Sequence, residues 1–222
     1  MPDAHHSFVD VHAGHRSPFA ARVRFDRCNA KRGAAHFDLG IGRSDDETRT
    51  GLKLGDPRET DTRIGPVLNA VQRERVRGYI EQGISEGAQL VLGGTGNGGF
   101  GKGYFVEPTV FAHVTPHMTI AQQEIFGPVV SILPYDDIDD AVRIANDTPY
   151  GLSGSVYSSD VERAYALACR IQAGHIGING VELAANVPFG GFKLSGVGRE
   201  GGREGLEAYL ETKAVFMPTA AG

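Results

Sequence analysis

A thiolate is the strongest nucleophile among protein side chains, and this chain of 222 residues holds two cysteines, Cys28 and Cys169. Cys28 sits in FDRCNAKR, where Arg27, Lys31 and Arg32 would favour the thiolate, but no general base stands beside it. Cys169 falls in an apolar helical pattern, DVERAYALACRIQ, where a free cysteine is expected to act as a small buried hydrophobe. Gly94, Gly96 and Gly99 spell G-x-G-x-x-G, formally a dinucleotide fingerprint. That motif needs a helix N-terminus after it to hold a pyrophosphate, whereas the residues that follow read as a strand. Seven glycines among residues 93–103 make a hairpin loop the better reading. His113 and His117 have a metal-like i, i+4 spacing, yet Pro116 breaks the helix that would align them, so no metal site is expected.

The elements that must position any chemistry begin abruptly. Residues 1–50 carry five of the eight histidines, eight Lys and Arg, and seven Asp and Glu, with no steady apolar period. SFVDVHAG and ARVRFDR alternate as short strands would, but turn chemistry is missing around both. This is an atypical segment, expected to be disordered or to come from a shifted reading frame. From Gly51 onward regular elements appear. Asn69 caps a helix over 70–87, with Val76, Ile80, Ile84 and Ala88 as its apolar face. Strands are expected in QLVLGG, YFVEPTVF, VVSILPY, YGLSGSVYS, HIGIN and ETKAVFM. Helices are expected in TIAQQEI, DIDDAVRIANDT, DVERAYALACRIQ and REGLEAYL. The alternation gives an α/β fold with a mostly parallel sheet flanked by helices.

Composition narrows the function classes. A net charge of −5 argues against a partner held by phosphate contacts, so no nucleic acid is expected. No apolar run approaches the roughly 20 residues a membrane span requires. Two cysteines cannot build a disulfide framework, and the polar, His-rich start is no signal peptide; both suit a cytoplasmic protein.

Five blocks carry the sharpest signal: LKLGDPRETDTRIGP, GYFVEPTVF, AQQEIFGPVV, PFGGFKLSGVGRE and ETKAVFM. In order and spacing they resemble the C-terminal half of the NAD(P)-dependent aldehyde dehydrogenases, from Leu52 to about Phe216. The resemblance implies a partial catalytic domain over residues 51–222, oxidising an aldehyde to a carboxylic acid with NAD or NADP. It sets Glu124 where a carboxylate accepts hydrogen bonds from the nicotinamide ribose hydroxyls, and Phe126 where an aromatic packs by that ribose. It sets Phe189 and Leu183 along the substrate tunnel. Lys193, Arg199 and Glu200 are expected to be structural. ETKAVFM, residues 211–217, matches the strand that pairs across the subunit interface, making a homo- or hetero-oligomer the expected state.

Departures from the pattern shape the expected activity. The family's nucleophile, in a Gly-Gln-x-Cys context, would fall near His15 to Arg22, and HRSPFAAR has no cysteine. The general-base glutamate in its Leu-Gly-Gly-Lys block and the dinucleotide-binding domain have no counterpart in these residues. No catalytic residue is therefore assigned, and the chain alone is expected to be inactive. The alternative is a non-catalytic subunit pairing with a full-length enzyme.

Overall fold

The structure, a computed structural model, describes residues 53–180 and 184–217 and the backbone of three short strands that precede them. These are β1 (Ser7–His12), β2 (Val23–Arg24) and β3 (Asp38–Leu39), the last two paired antiparallel. Helix α1 (Ala70–Ser85) begins where its cap requires: the Asn69 side chain accepts from the Gln72 backbone N–H at 2.8 Å. Then come β4 (Gln89–Leu92), β5 (Thr109–Ala112), the short helix α2 (Thr119–Gln122) and β6 (Val129–Ser131). The aspartate-led α3 (Ile138–Asn146) follows, capped by the Asp137 carboxylate on the Asp140 N–H. β7 (Ser153–Ser158), α4 (Val161–Ala168), β8 (His175–Ile178) and α5 (Gly202–Glu207) complete the order.

Two three-stranded sheets carry the layers, β4-β5-β6 and β1-β7-β8. Each is mixed, which corrects the expectation of a mostly parallel sheet. β5 runs antiparallel to β4 and parallel to β6, while β7 runs antiparallel to β1 and parallel to β8. The connections explain this. β5–β6 and β7–β8 each pass through a helix, the crossover that parallel neighbours need. β4–β5 passes only through the glycine loop, which returns the chain antiparallel. Gly94, Gly96 and Gly99 therefore lead into a strand, with no helix N-terminus to hold a phosphate.

Each sheet has its own apolar core. Val76 and Ile80 of α1 pack with Val106, Phe111, Val114, Ile120 and Ile125. Val142, Val156, Ala164, Leu167 and Ile171 form the second cluster. Each large side chain so buried stabilises the fold by about 1.5–3 kcal/mol relative to exposure. Ile84 departs from the expected α1 face, at 47% exposure, and Gly83 is buried in its place. Residues four apart on a helix advance about 40° per step, so a strict i+4 series leaves the buried stripe.

One further expectation is overturned. α4 stops at Ala168, its last turn tightened by bonds from Arg170 N–H to Leu167 O and Ile171 N–H to Ala168 O. Cys169 is thereby turned outward and is exposed. Within this chain residues 211–217 pair with no neighbour among the described residues, and Val215, Phe216 and Met217 are 76%, 92% and 84% exposed. No helix among the described residues is long and apolar enough to cross a membrane.

Candidate functional site

Glu124 and Phe126 lie in the short connection between α2 and β6, and α1 braces that connection. Gln72 and Arg75, one helical turn apart, point at it from the same face. The Gln72 side-chain amide donates to Phe126 O at 2.9 Å and to Ile125 O at 3.2 Å. Arg75 Nη2 donates to Glu124 O at 2.8 Å. Three successive carbonyls are thus held by two side chains, while the buried Ile125 anchors the segment in the first core.

That bracing sustains an uncommon backbone. Phe126 has φ +58°, a left-handed conformation rare for an aromatic residue, and the residue is 63% exposed. Gly127 follows it because a Cβ there would run into the Val76 side chain. The half-buried Glu124 carboxyl is held above the usual glutamate range by burial, with the nearby Arg75 cation opposing the shift. Its carboxylate meets no hydrogen-bond donor among the described residues. A held carboxylate beside an exposed ring is an arrangement that can accept two hydroxyl donors and flank a sugar.

Phe189 lies beyond β8, in the second half. Its backbone exchanges hydrogen bonds with Glu200, at 2.7 and 2.8 Å, and its ring stands 5.8 Å from that of His175, inclined by 58°. The next residues press against the chain: a Cβ on Gly174 would land on the carbonyl oxygen of Gly190. Arg199 Nη1 donates to Gly191 O and Gly198 O at 2.9 and 2.8 Å, and its guanidinium lies 5.6 Å from the centre of the Phe192 ring. Lys193 Nζ donates to Asn146 O and Thr148 O at 2.7 and 3.0 Å. Leu183 and Cys28 lie outside the described residues.

The structure therefore places the two site segments in different halves, each braced from behind. The braces Gln72 and Arg75 were not legible in sequence, where they look like any polar residues of an amphipathic helix. His175, beside Phe189, also carried no signal. His113 has φ +53° in the turn after β5, and among the described residues no three His, Cys, Asp or Glu side chains gather as a metal site.

The model of the aldehyde dehydrogenase family matches residues 43–215. The chain belongs to that family. Over 165 residues it is 49% identical to a Staphylococcus saprophyticus protein named as an aldehyde dehydrogenase, covering 74% of this chain and 35% of the relative. Among solved structures, a Mycobacterium tuberculosis aldehyde dehydrogenase complexed with NAD+ superposes with a TM-score of 0.75 at 48% identity. A Pseudomonas syringae aldehyde dehydrogenase C mutant, complexed with NAD+ and octanal, gives 0.74 at 47%. Each of these superpositions covers 78% of this chain and 36% of the solved chain. The chain thus spans about a third of the length of the relatives it matches, and the matched stretch begins before Leu52.

Proposed function

We propose that this chain supplies the nicotinamide-facing and substrate-facing third of an NAD(P)-dependent aldehyde dehydrogenase. Glu124 accepts hydrogen bonds from the hydroxyls of the nicotinamide ribose, and Phe126 limits where that sugar can lie. Phe189, with Leu183, lines the approach of an aldehyde. The observation that carries this reading is the braced Glu124–Phe126 connection, whose carboxylate accepts no hydrogen bond among the described residues and whose Phe126 is exposed. A nicotinamide held at Glu124 and Phe126 would supply the hydride-accepting chemistry. The residues here orient it. Arg75 and Gln72 hold that connection in place by its carbonyls.

Oxidation by this route also requires a thiolate to attack the aldehyde and a base to hydrolyse the thioester. HRSPFAAR offers no thiol where the family sets its nucleophile, so these 222 residues alone carry no turnover in this reading. Purified chain mixed with NAD+ and octanal, or with short aliphatic and aromatic aldehydes, is expected to form no NADH. Turnover that disappears in Cys28→Ala would make Cys28 the nucleophile and overturn the reading.

A second reading, a non-catalytic subunit, is favoured by one observation: Val215, Phe216 and Met217 are left uncovered at the end of the described residues. Residues 211–217 would then pair with a second copy or with a full-length relative. Co-purification of a tagged full-length relative, lost on Phe216→Asp, supports it; a concentration-independent monomer that captures none removes it.

A further inference from the structure

α3 ends at Asn146, and the turn after it offers a run of carbonyl oxygens at the negative end of the helix. Two side chains from distant parts of the chain interleave on three of them. Lys193 Nζ takes Asn146 O at 2.7 Å and Thr148 O at 3.0 Å. The Gln122 amide takes the carbonyl between them, Asp147 O, at 2.7 Å, and also Pro116 O at 2.8 Å. Gln122 stands two residues before Glu124, and Lys193 four residues after Phe189.

The turn is itself fixed from below. The Asn146 side chain donates to Arg170 O at 2.9 Å and accepts from Gln172 N–H at 2.7 Å, tying it to the approach to β8. Backbone bonds add to the Lys193 contact: Leu194 N–H to Pro149 O at 2.9 Å and Phe192 N–H to Gly151 O at 2.8 Å. Lys193 meets these demands with φ +53°, a conformation a lysine keeps only where its surroundings impose it. An ordinary helix C-cap uses residues adjacent in sequence. Here the donors come from 25 residues before the turn and from 45–47 residues after it.

We propose that Lys193 is a positioning residue, and that the turn Asn146–Thr148 is the shared anchor through which the Glu124–Phe126 and Phe189 segments are held in one frame. The Glu124–Phe126 segment is rooted in the first core through Ile125, whereas residues 188–200 belong to neither core cluster, so without a common anchor each would open independently. With it, loosening one releases a partner of the other. The functional meaning of the frame rests on the reading of Glu124 and Phe189 as site residues; the mechanical coupling does not.

Hydrogen exchange followed by mass spectrometry on the full chain tests this with no cofactor or aldehyde present. Lys193→Met is expected to speed exchange in residues 188–200 and, as the distinguishing result, also in residues 122–127, by about tenfold in each. Lys193→Arg, which keeps the cation and its donors, is expected to restore slow exchange in both. Gln122→Ala is expected to speed exchange in residues 188–200 as well as in its own segment. If Lys193→Met speeds exchange only in its own segment, or Lys193→Arg fails to restore the other, the shared anchor is wrong. Should Lys193→Met fail to fold, Gln122→Ala decides alone, and an unchanged rate at 188–200 then overturns the proposal. Failure of the site reading would show separately, as indifference of cofactor use to Glu124 in an assembled enzyme.

Discussion

Gln72 donates its side-chain amide to the carbonyl of Phe126 at 2.9 Å, across 54 residues of sequence. The bond joins the first turn of α1 to a backbone held at φ +58°, so a helix defined by its cap also fixes the candidate ribose contact. Gln72→Ala is expected to destabilise the chain by about 1 kcal/mol, the usual net value of such a bond. A urea melt reads this as a lower midpoint with an unchanged slope. An unchanged midpoint would mean that the brace holds nothing.

The Glu86 carboxylate accepts from both the backbone N–H and the hydroxyl of Thr119, each at 2.6 Å, joining the end of α1 to the start of α2. The Thr119 hydroxyl first, then the Gln82 side-chain amide and the Thr119 N–H, hold its pKa below the usual glutamate value. A depressed folded value means stability that is present above the unfolded pKa and lost as pH falls through the folded one. Glu86→Gln should therefore flatten the acid side of the stability profile, below about pH 4.3, in melts across pH. An unaltered acid limb would contradict the assignment.

Glu124 has the opposite sign. Burial raises its pKa, so the stability tied to its protonated form is present below the unfolded value and lost as pH rises through the folded one. Glu124→Gln should leave the isolated chain no less stable at neutral pH, measured by thermal melt. A marked loss of stability would recast Glu124 as structural.

Gly174→Ala forces a methyl group onto the Gly190 carbonyl, a main-chain atom that no side-chain rotation can move. The expected cost is about 2–3 kcal/mol, with no relief from side-chain rearrangement. Thermal melts of the variant beside Gly180→Ala, where a Cβ meets open space, make the comparison internal. Equal melting temperatures would show that the two segments are not in contact.

How much was legible follows from which forces are local. The start of α1 was written in Asn69, because a cap bond closes within three residues. The α3 start was equally plain in Asp137. Ile84 misled because a four-residue series looks apolar in sequence while rotating off the buried stripe. The antiparallel β4–β5 pair followed from the glycine loop already read as a hairpin, yet the α/β alternation elsewhere masked its consequence for the sheet. Glu124, Phe126 and Phe189 came from block resemblance rather than from periodicity. Their supports, Gln72, Arg75, Gln122 and Lys193, bond to main-chain carbonyls brought near only by folding, and no residue type announces an acceptor of that kind. Residues 211–217 have no strand neighbour within this chain among the described residues, and a strand exists only where a neighbour supplies the other half of its hydrogen bonds.

The most direct measurement replaces the matching third of the Mycobacterium tuberculosis relative with residues 53–217 of this chain and follows NADH formation from an aldehyde. The parent chimera is expected to turn over, because the relative brings the parts that these residues lack. Glu124→Gln in that chimera should lower kcat/KM for NAD+ by about 10–100-fold, the loss of a charged acceptor to hydroxyl donors, while Glu59→Gln on the exposed surface changes nothing. A Glu124→Gln chimera that uses NAD+ as well as its parent would contradict the account.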